Sequence, residues 1–549
     1  MCAYNRVNQS YSCQNSKLLN GVLKDELGFQ GYVMSDWGAT HSGVAGAEAG
    51  LDMDMPGTIC FFVANQSYFG GNLTAAVNNG SLPEERLDDM ARRVMTPYFH
   101  LRQNTDYPPI DPEESALNVL QLQPVSKAYN YGPANVDVQD NHTQLIRELG
   151  AAGAVLLKNI NNTLPLRAPK NIGVFGNDAG EPTDGLYFVS LGNSPTGYEF
   201  GTLPVGGGSG TGHFTYVVTP LQAIQARASR EGALVQYVLN NTLVTIPGRL
   251  AGIAPAPPRD VCLVFLKTWA TEGLDRFSLF ADWSSTAVVE SVAAFCNNTV
   301  VVTHNSGIKV MPWADNPNVT ADIAAHFPGQ ESGSAIVDVL YGDVNPSGKL
   351  PYTIAFSQSG YSFAPIANST ALLRTKDPNA WQSDFAERLL IDYRHFDYYN
   401  ISVQFEFGFG LSYANFSMSN LSVSIVDSGG AIRPVEPGGN PTLYDVLFRA
   451  EAVVSNTGAV AGATVAQLYL SLPQVSGGQT PTPLRVLRGF DKVSLQPGRS
   501  ATLMFDIMRR PEHGPNISYW NTEQQEWAQV SKTIEEDTLV YTALLVVMA

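Results

Sequence analysis

Apolar residues along the first hundred positions fall into two short extended runs and two helical repeats. Residues 1–4 and 31–34 are compact apolar stretches that predict strands, and Leu18, Leu19, Val22, Leu23 and Leu27 recur at helical intervals and predict a helix over 16–27. Strand, helix and strand make a βαβ unit, and Ser35, Asp36 and Trp37 fall just beyond its second strand, where parallel α/β folds collect their chemistry. A second helix is predicted from Ser81-x-x-Glu84, a capping box with Pro83 in the first turn, through Leu87, Met90, Ala91 and Val94.

The pattern then dissolves into Pro, Asn, Gln and Tyr, and residues 104–140 read as a linker between an N-terminal region, 1–103, and a second α/β region, 141–411. In that region strands are predicted at 155–158, 171–176, 261–266 and 300–304, with helices at 143–152, 287–295 and 330–340. This alternation predicts a mainly parallel sheet covered on both faces. From 412 to 549 the period changes to two: Val446, Phe448, Ala450, Ala452 and Val454, then Val465, Gln467, Tyr469 and Ser471, broken by Gly and Pro turns. That predicts a β-sandwich. The glycine-dense run from Gly206 to Gly212 is followed by His213 and lacks the lysine of a phosphate loop, so it reads as a flexible loop.

Composition narrows the partners. With 50 acidic and 33 basic residues the chain carries a net charge of -17, which repels nucleic acid and anionic lipid. The most apolar tail, 539–549, is far short of the roughly 20 residues a membrane span needs. Fourteen Asn-x-Ser/Thr triplets, among them Asn8, Asn65, Asn72, Asn161, Asn240, Asn297, Asn318 and Asn415, point to a glycosylated, secreted protein, yet no signal peptide precedes them. Of five cysteines, Cys2 with Cys13 and Cys262 with Cys296 could each close a local disulfide, with buried free thiols as the alternative. No metal-ligand spacing is present, and neither a metal nor another cofactor is expected.

Two carboxylates stand out chemically. Asp36 sits at a strand end beside Trp37, whose indole can form an apolar platform, and Glu272 lies in the polar loop Thr271-Glu272-Gly273-Leu274-Asp275-Arg276 after the strand over 261–266. Glycoside cleavage needs such a pair: one ionised group to attack the anomeric carbon, and one protonated and partly buried group to help the leaving oxygen depart. Each is otherwise an ordinary solvated or structural carboxylate. His304 reads as a strand-end cap, Asp178 and Glu331 as loop and helix-start supports, and Asp275 with Arg276 as an ion pair holding the loop or as a solvated pair.

Longer motifs carry a resemblance. Met1-Cys2-Ala3-Tyr4-Asn5-Arg6, Gly31-Tyr32-Val33-Met34-Ser35-Asp36-Trp37-Gly38, Gly50-Leu51-Asp52-Met53-Asp54-Met55-Pro56-Gly57, Asn345-Pro346-Ser347-Gly348-Lys349-Leu350-Pro351 and Phe405-Glu406-Phe407-Gly408-Phe409-Gly410-Leu411-Ser412-Tyr413 resemble glycoside hydrolase family 3, especially its fungal β-glucosidases. The resemblance implies an α/β plus β chain: part of a (β/α)8 barrel, an α/β sandwich domain and a C-terminal fibronectin type III-like β-sandwich. It implies Asp36 as nucleophile and Glu272 as acid/base of a retaining, exo-acting β-glucosidase, with Tyr4 beside the nucleophile, Trp37 walling the aglycone side and Met1 in the pocket. β-Glucosides or cello-oligosaccharides are the expected substrates. β-Xylosidase activity and a non-catalytic carbohydrate-binding or adhesion module are the alternatives.

The same resemblance implies that most of the barrel is missing, because only 35 residues precede Asp36. A Lys-His pair that grips glucose hydroxyls in the family would be missing with it, and an open barrel exposes strand edges, so a chain inactive by itself is expected. Leu274 stands where many relatives have an aromatic residue, and the spacing between Arg510 and Tyr519 is unusually wide.

Overall fold

A computed structural model describes residues 1–59, 66–105, 139–182, 198–208, 214–248, 250, 259–272, 276, 278–361, 385–426, 433–434, 441–471, 481–508, 518–521, 526–529 and 543–545. Most of the expected linker, 104–140, lies outside these residues, as do Asn65 and Gly273, Leu274 and Asp275 of the Glu272 loop.

In the N-terminal region the two expected strands shrink to parallel bridges. Cys2 bridges Ser35 and Met34 bridges Met53, so three extended segments lie side by side without forming a continuous ladder. The helix between them, α1 (Lys17–Glu26), is wound as a π-helix. A later helix, α2 (Glu84–His100), starts without the expected capping box. Pro83 is its N-cap residue and has no side-chain acceptor to offer, and Ser81 lies two residues too early to cap it. One apolar cluster, with Leu19, Val33, Leu51, Leu73, Leu82 and Met90, holds these pieces together.

Among the described residues the central region forms a six-stranded sheet. Its strands are β1 (Val155–Asn159), β2 (Asn171–Phe175), β3 (Leu234–Val238), β4 (Val261–Thr268), β5 (Thr299–Asn305) and β6 (Val319–Ala324), in spatial order β1-β6-β5-β4-β2-β3. All pairings are parallel except that of β1 with β6. Every residue of β4, β5 and β6 is buried, as expected of strands covered on both faces. Leu263 and Phe265 point into one apolar layer with Val300, Val302 and Ile323, while Val264 and Leu266 point into the other with Val301, Val288 and Val292. Burying side chains of this size contributes roughly 1.5–3 kcal/mol each.

One covering helix lay hidden in the sequence pattern. Helix α3 (Pro220–Glu231) has Pro220 in its first turn, a capping box between Thr219 and Gln222, and left-handed Gly232 at its C-cap. These are standard start and stop signals. They sit between segments that lack strand periodicity, so the α/β alternation alone did not reveal them. A later helix, α4 (Ser332–Tyr341), is buried at nearly every position and packs against α3 and the helix His142–Gly153.

Among the described residues the C-terminal region is a sandwich of two three-stranded sheets, with a separate pair, Ser518–Asn521 and Glu526–Gln529. One has the order Ser500–Met508, Val446–Asn456, Phe416–Ile425, and the other Val486–Leu495, Gly462–Leu470, Ala543–Leu545. Phe448, Ala450, Ala452 and Val454 face inward as their period predicts, Phe448 half-buried against the core, but Val446 does not. A bulge between Val446 and Phe448 shifts the phase there, so Leu447 is buried. Ala466, Leu468 and Leu470 fill the sandwich core, whereas buried Gln467 and Tyr469 belong to the opposite face, where Gln467 Nε2 donates to the Gly408 carbonyl at 3.0 Å.

Candidate active site

Asp36 is placed by its backbone neighbours. Its N–H donates to the Cys2 carbonyl at 3.0 Å, and the preceding Ser35 N–H donates to the Met53 carbonyl at 2.9 Å. Ser35 is wholly buried, and its Oγ accepts from the Met55 N–H at 2.8 Å. Three residues upstream, the Val33 N–H donates to Asp52 Oδ2 at 2.8 Å. The other oxygen of Asp52 receives Lys24 Nζ at 2.9 Å and an Arg86 nitrogen at 2.7 Å. Arg86 continues to Asp89, which also holds Arg93. This buried network ties the segment carrying Asp36 to both α1 and α2. A disulfide between Cys2 and Cys13 fixes the neighbouring segment.

Around Asp36 the side chains of the expected site converge. The Trp37 backbone N–H donates to Asp36 Oδ1 at 2.8 Å, and the residue is 40% exposed. The Tyr4 phenol lies beside the Asp36 carboxylate. Its pKa is raised by burial first, then by the adjoining Asp36 carboxylate and by the negative charge of Glu272. Tyr4 therefore stays a neutral donor, and Glu272, from the central region, is near enough to act on the same phenol. Met1 is 77% exposed.

Glu272 reaches this point on the turn that follows β4. Trp269, at the root of the turn, packs on Tyr198 with ring centroids 5.0 Å apart, and its backbone N–H donates to Asp282 Oδ2 at 2.6 Å. The Gly207 N–H donates to the Ala270 carbonyl at 3.2 Å. A Cβ at Gly207 would fall 2.5 Å from the Thr271 side chain, and one at Gly208 only 2.8 Å from the Glu272 Cβ. The first glycines of the dense run are thus a smooth wall beneath the Glu272 turn rather than a free loop. Their proximity to the turn could not be read from spacing. Glu272 itself is exposed, against the expectation of partial burial, and Arg276 is drawn away to the Ile308 carbonyl at 2.5 Å.

The remaining candidates support the scaffold. His304 is fully buried, with Nδ1 against Asp178 Oδ2 at 2.5 Å and Nε2 3.4 Å from Ser332 Oγ, and Asp178 Oδ1 also accepts from the Leu203 N–H. Glu331 accepts from the Tyr216 hydroxyl at 2.7 Å. A second disulfide joins Cys262 to Cys296. Asn8, Asn72, Asn161, Asn297 and Asn415 are exposed, whereas Asn240 caps the helix Asn241–Thr245 and Asn318 commits its amide nitrogen to the Ala293 carbonyl at 2.8 Å. Among the described residues no cluster of His, Cys, Asp and Glu is arranged to hold a metal ion, and no helix is long and apolar enough to cross a membrane.

Family descriptions match three stretches: the glycosyl hydrolase family 3 N-terminal domain at 1–96, the family's C-terminal domain at 154–413 and a fibronectin type III-like domain at 464–535. A solved structure described as a glycoside hydrolase family 3 β-glucosidase from Neurospora crassa superposes with a TM-score of 0.83 at 37% identity, over 97% of this chain and 71% of that one. The chain belongs to glycoside hydrolase family 3. It is also similar to a protein named probable beta-glucosidase G from Emericella nidulans, with 54% identity over 540 residues, 96% of this chain. The solved β-D-glucoside glucohydrolase of Trichoderma reesei matches with a TM-score of 0.79 and 36% identity, over 97% of this chain and 69% of that one. The chain spans 64% of the length of the Emericella relative.

Proposed function

We propose that this family 3 chain supplies the nucleophile and the acid/base of a secreted, retaining β-glucosidase that releases terminal non-reducing β-D-glucosyl residues from β-glucosides or cello-oligosaccharides. The activity is assigned to a protein of the relatives' full length. The reading rests on one arrangement above all: Tyr4 lies beside Asp36, and Glu272, a residue of a different region, is close enough for its charge to act on the same phenol.

In this mechanism Asp36 attacks the anomeric carbon while Glu272 protonates the departing glycosidic oxygen, leaving a covalent glycosyl-enzyme. Glu272 then takes a proton from water, which attacks the same carbon and frees Asp36. The Trp37 backbone N–H holds Asp36 Oδ1, leaving Oδ2 to attack, Tyr4 lies beside the same carboxylate, and the exposed Trp37 offers an apolar face to the leaving group. Two disulfides and the exposed glycosylation triplets support secretion.

The test is hydrolysis of aryl β-glucoside and aryl β-xyloside by a full-length protein containing this chain, with the anomer of the first-formed sugar read by NMR. Asp36→Asn is expected to reduce turnover by at least about a thousandfold, and the wild type to yield the β-anomer of glucose first. First formation of the α-anomer, or an Asp36→Asn variant of near-normal rate, would overturn the assignment. Preference for the xyloside would move it to a β-xylosidase.

A further inference from the structure

A cavity of about 450 Å³ opens where the central region meets the sandwich, and none of its lining residues belongs to the Asp36 site. One wall comes from the helix Tyr393–Tyr398 and the segment after it, the other from the strand Gly462–Leu470 and Arg485. The volume lies in the range of small-ligand sites, about 300–1,000 Å³.

The lining mixes two kinds of surface. Phe407 and Tyr469 bring aromatic rings, with Tyr393 bracing both: its ring lies 4.6 Å from that of Phe407 and 6.0 Å from that of Tyr469. Arg485 lies over the Tyr469 ring and grips Asp397 with two bonds, at 2.6 and 3.1 Å. Asp397 is thereby neutralised. Glu406 is exposed at the cavity and brings a second carboxylate that no described arginine or lysine pairs. Rings fixed in place and a carboxylate with open acceptor positions match a sugar, which offers an apolar C–H face and rows of hydroxyl donors.

A sequence feature falls on the same wall. Asn400, Ile401 and Ser402 line the cavity and form an Asn-x-Ser acceptor triplet, with Asn400 exposed in the left-handed conformation at φ 52°.

We propose that this cavity binds a saccharide, with Glu406 accepting from its hydroxyls and Phe407 and Tyr469 against its C–H face. The sugar comes either from solution or from an N-linked glycan on Asn400. The inference is independent of the catalytic assignment.

Two experiments test it and separate the sources. In the first, chain prepared without glycans is titrated with glucose, cellobiose and N-acetylglucosamine, and binding is read by saturation-transfer NMR. Binding of one of them that weakens at least tenfold in Glu406→Ala and persists in Asp36→Asn supports the free-sugar form. In the second, chain from a secretory host is mapped by mass spectrometry and treated with endoglycosidase under native conditions. A glycan on Asn400 that is released at least tenfold more slowly than that on Asn297, and at the Asn297 rate in Glu406→Ala, supports the tethered form. If no titrated sugar shows Glu406-dependent binding and the Asn400 glycan is absent or released as fast as that on Asn297, the proposal fails.

Discussion

The N-terminal and central regions each place one of the two carboxylates, and they do so by different means. In the central region Glu272 hangs from β4, whose eight residues are all buried between two apolar layers. In the N-terminal region Asp36 follows a segment with only bridge pairings. It is held by a buried Lys24–Asp52–Arg86 network and a disulfide. Apolar burial is spread over many contacts, whereas an ion network concentrates the hold on a few atoms. The first region should therefore be sensitive to single polar changes and the second to loss of volume.

The largest effect should come from the central core. Phe265→Ala removes a fully buried ring and is expected to cost about 4 kcal/mol, seen as an earlier chemical unfolding transition of the central region. Asp52→Asn leaves Lys24 and Arg86 without their shared carboxylate and should cost about 3 kcal/mol. Hydrogen exchange should then speed up over 17–26 and 33–35 while β4 stays protected. Equal loss of protection in both regions would mean that they share one core. Replacing Cys2 and Cys13 by serine opens a loop with a sequence separation of 11 and should cost about 2–3 kcal/mol, again confined to the N-terminal region.

The smallest effect concerns pH and sharpens the picture of the central core. Burial pushes His326 down to about 4, so the unfolded chain binds more protons between pH 4 and 6.5, and this group adds stability as pH rises through that window. Burial pushes Asp322 up to about 7, although the Lys309 charge and the Trp313 N–H pull it down. Here the folded chain binds more protons, so the Asp322 contribution is present at low pH and is lost as pH rises from about 4 to 7. The two oppose each other. Asp322→Asn removes the second, and thermal unfolding of the variant should rise more steeply with pH between 4 and 6.5 than that of the wild type. An unchanged slope would mean that Asp322 is ionised in the folded chain throughout.

What the sequence made legible follows the same division. The buried strands of the central sheet announce themselves as runs such as Val261 to Leu266, and the residues around Asp36 as an uninterrupted motif. Two kinds of feature stayed hidden. Asp52 looks like any acidic residue until the fold brings Lys24 and Arg86 to it from 28 and 34 residues away. The glycines beneath the Glu272 turn read as slack because their function is to leave room for a partner more than 60 positions later in the chain. The inward phase of the sandwich strand fails at Val446 alone, because a single bulge residue before Phe448 inverts the alternation without changing the composition.

The path of the chain through the central region also matters for how that region could be handled. Leu411, near its exit, donates its N–H to the carbonyl of Leu156, in the first strand after its entry, at 2.8 Å. Entry and exit are therefore neighbours. A unit whose ends meet can be lifted out, closed into a ring or reopened elsewhere with little distortion. This makes the Glu272-bearing unit a transplantable cassette, suited to being grafted into a related host as one piece.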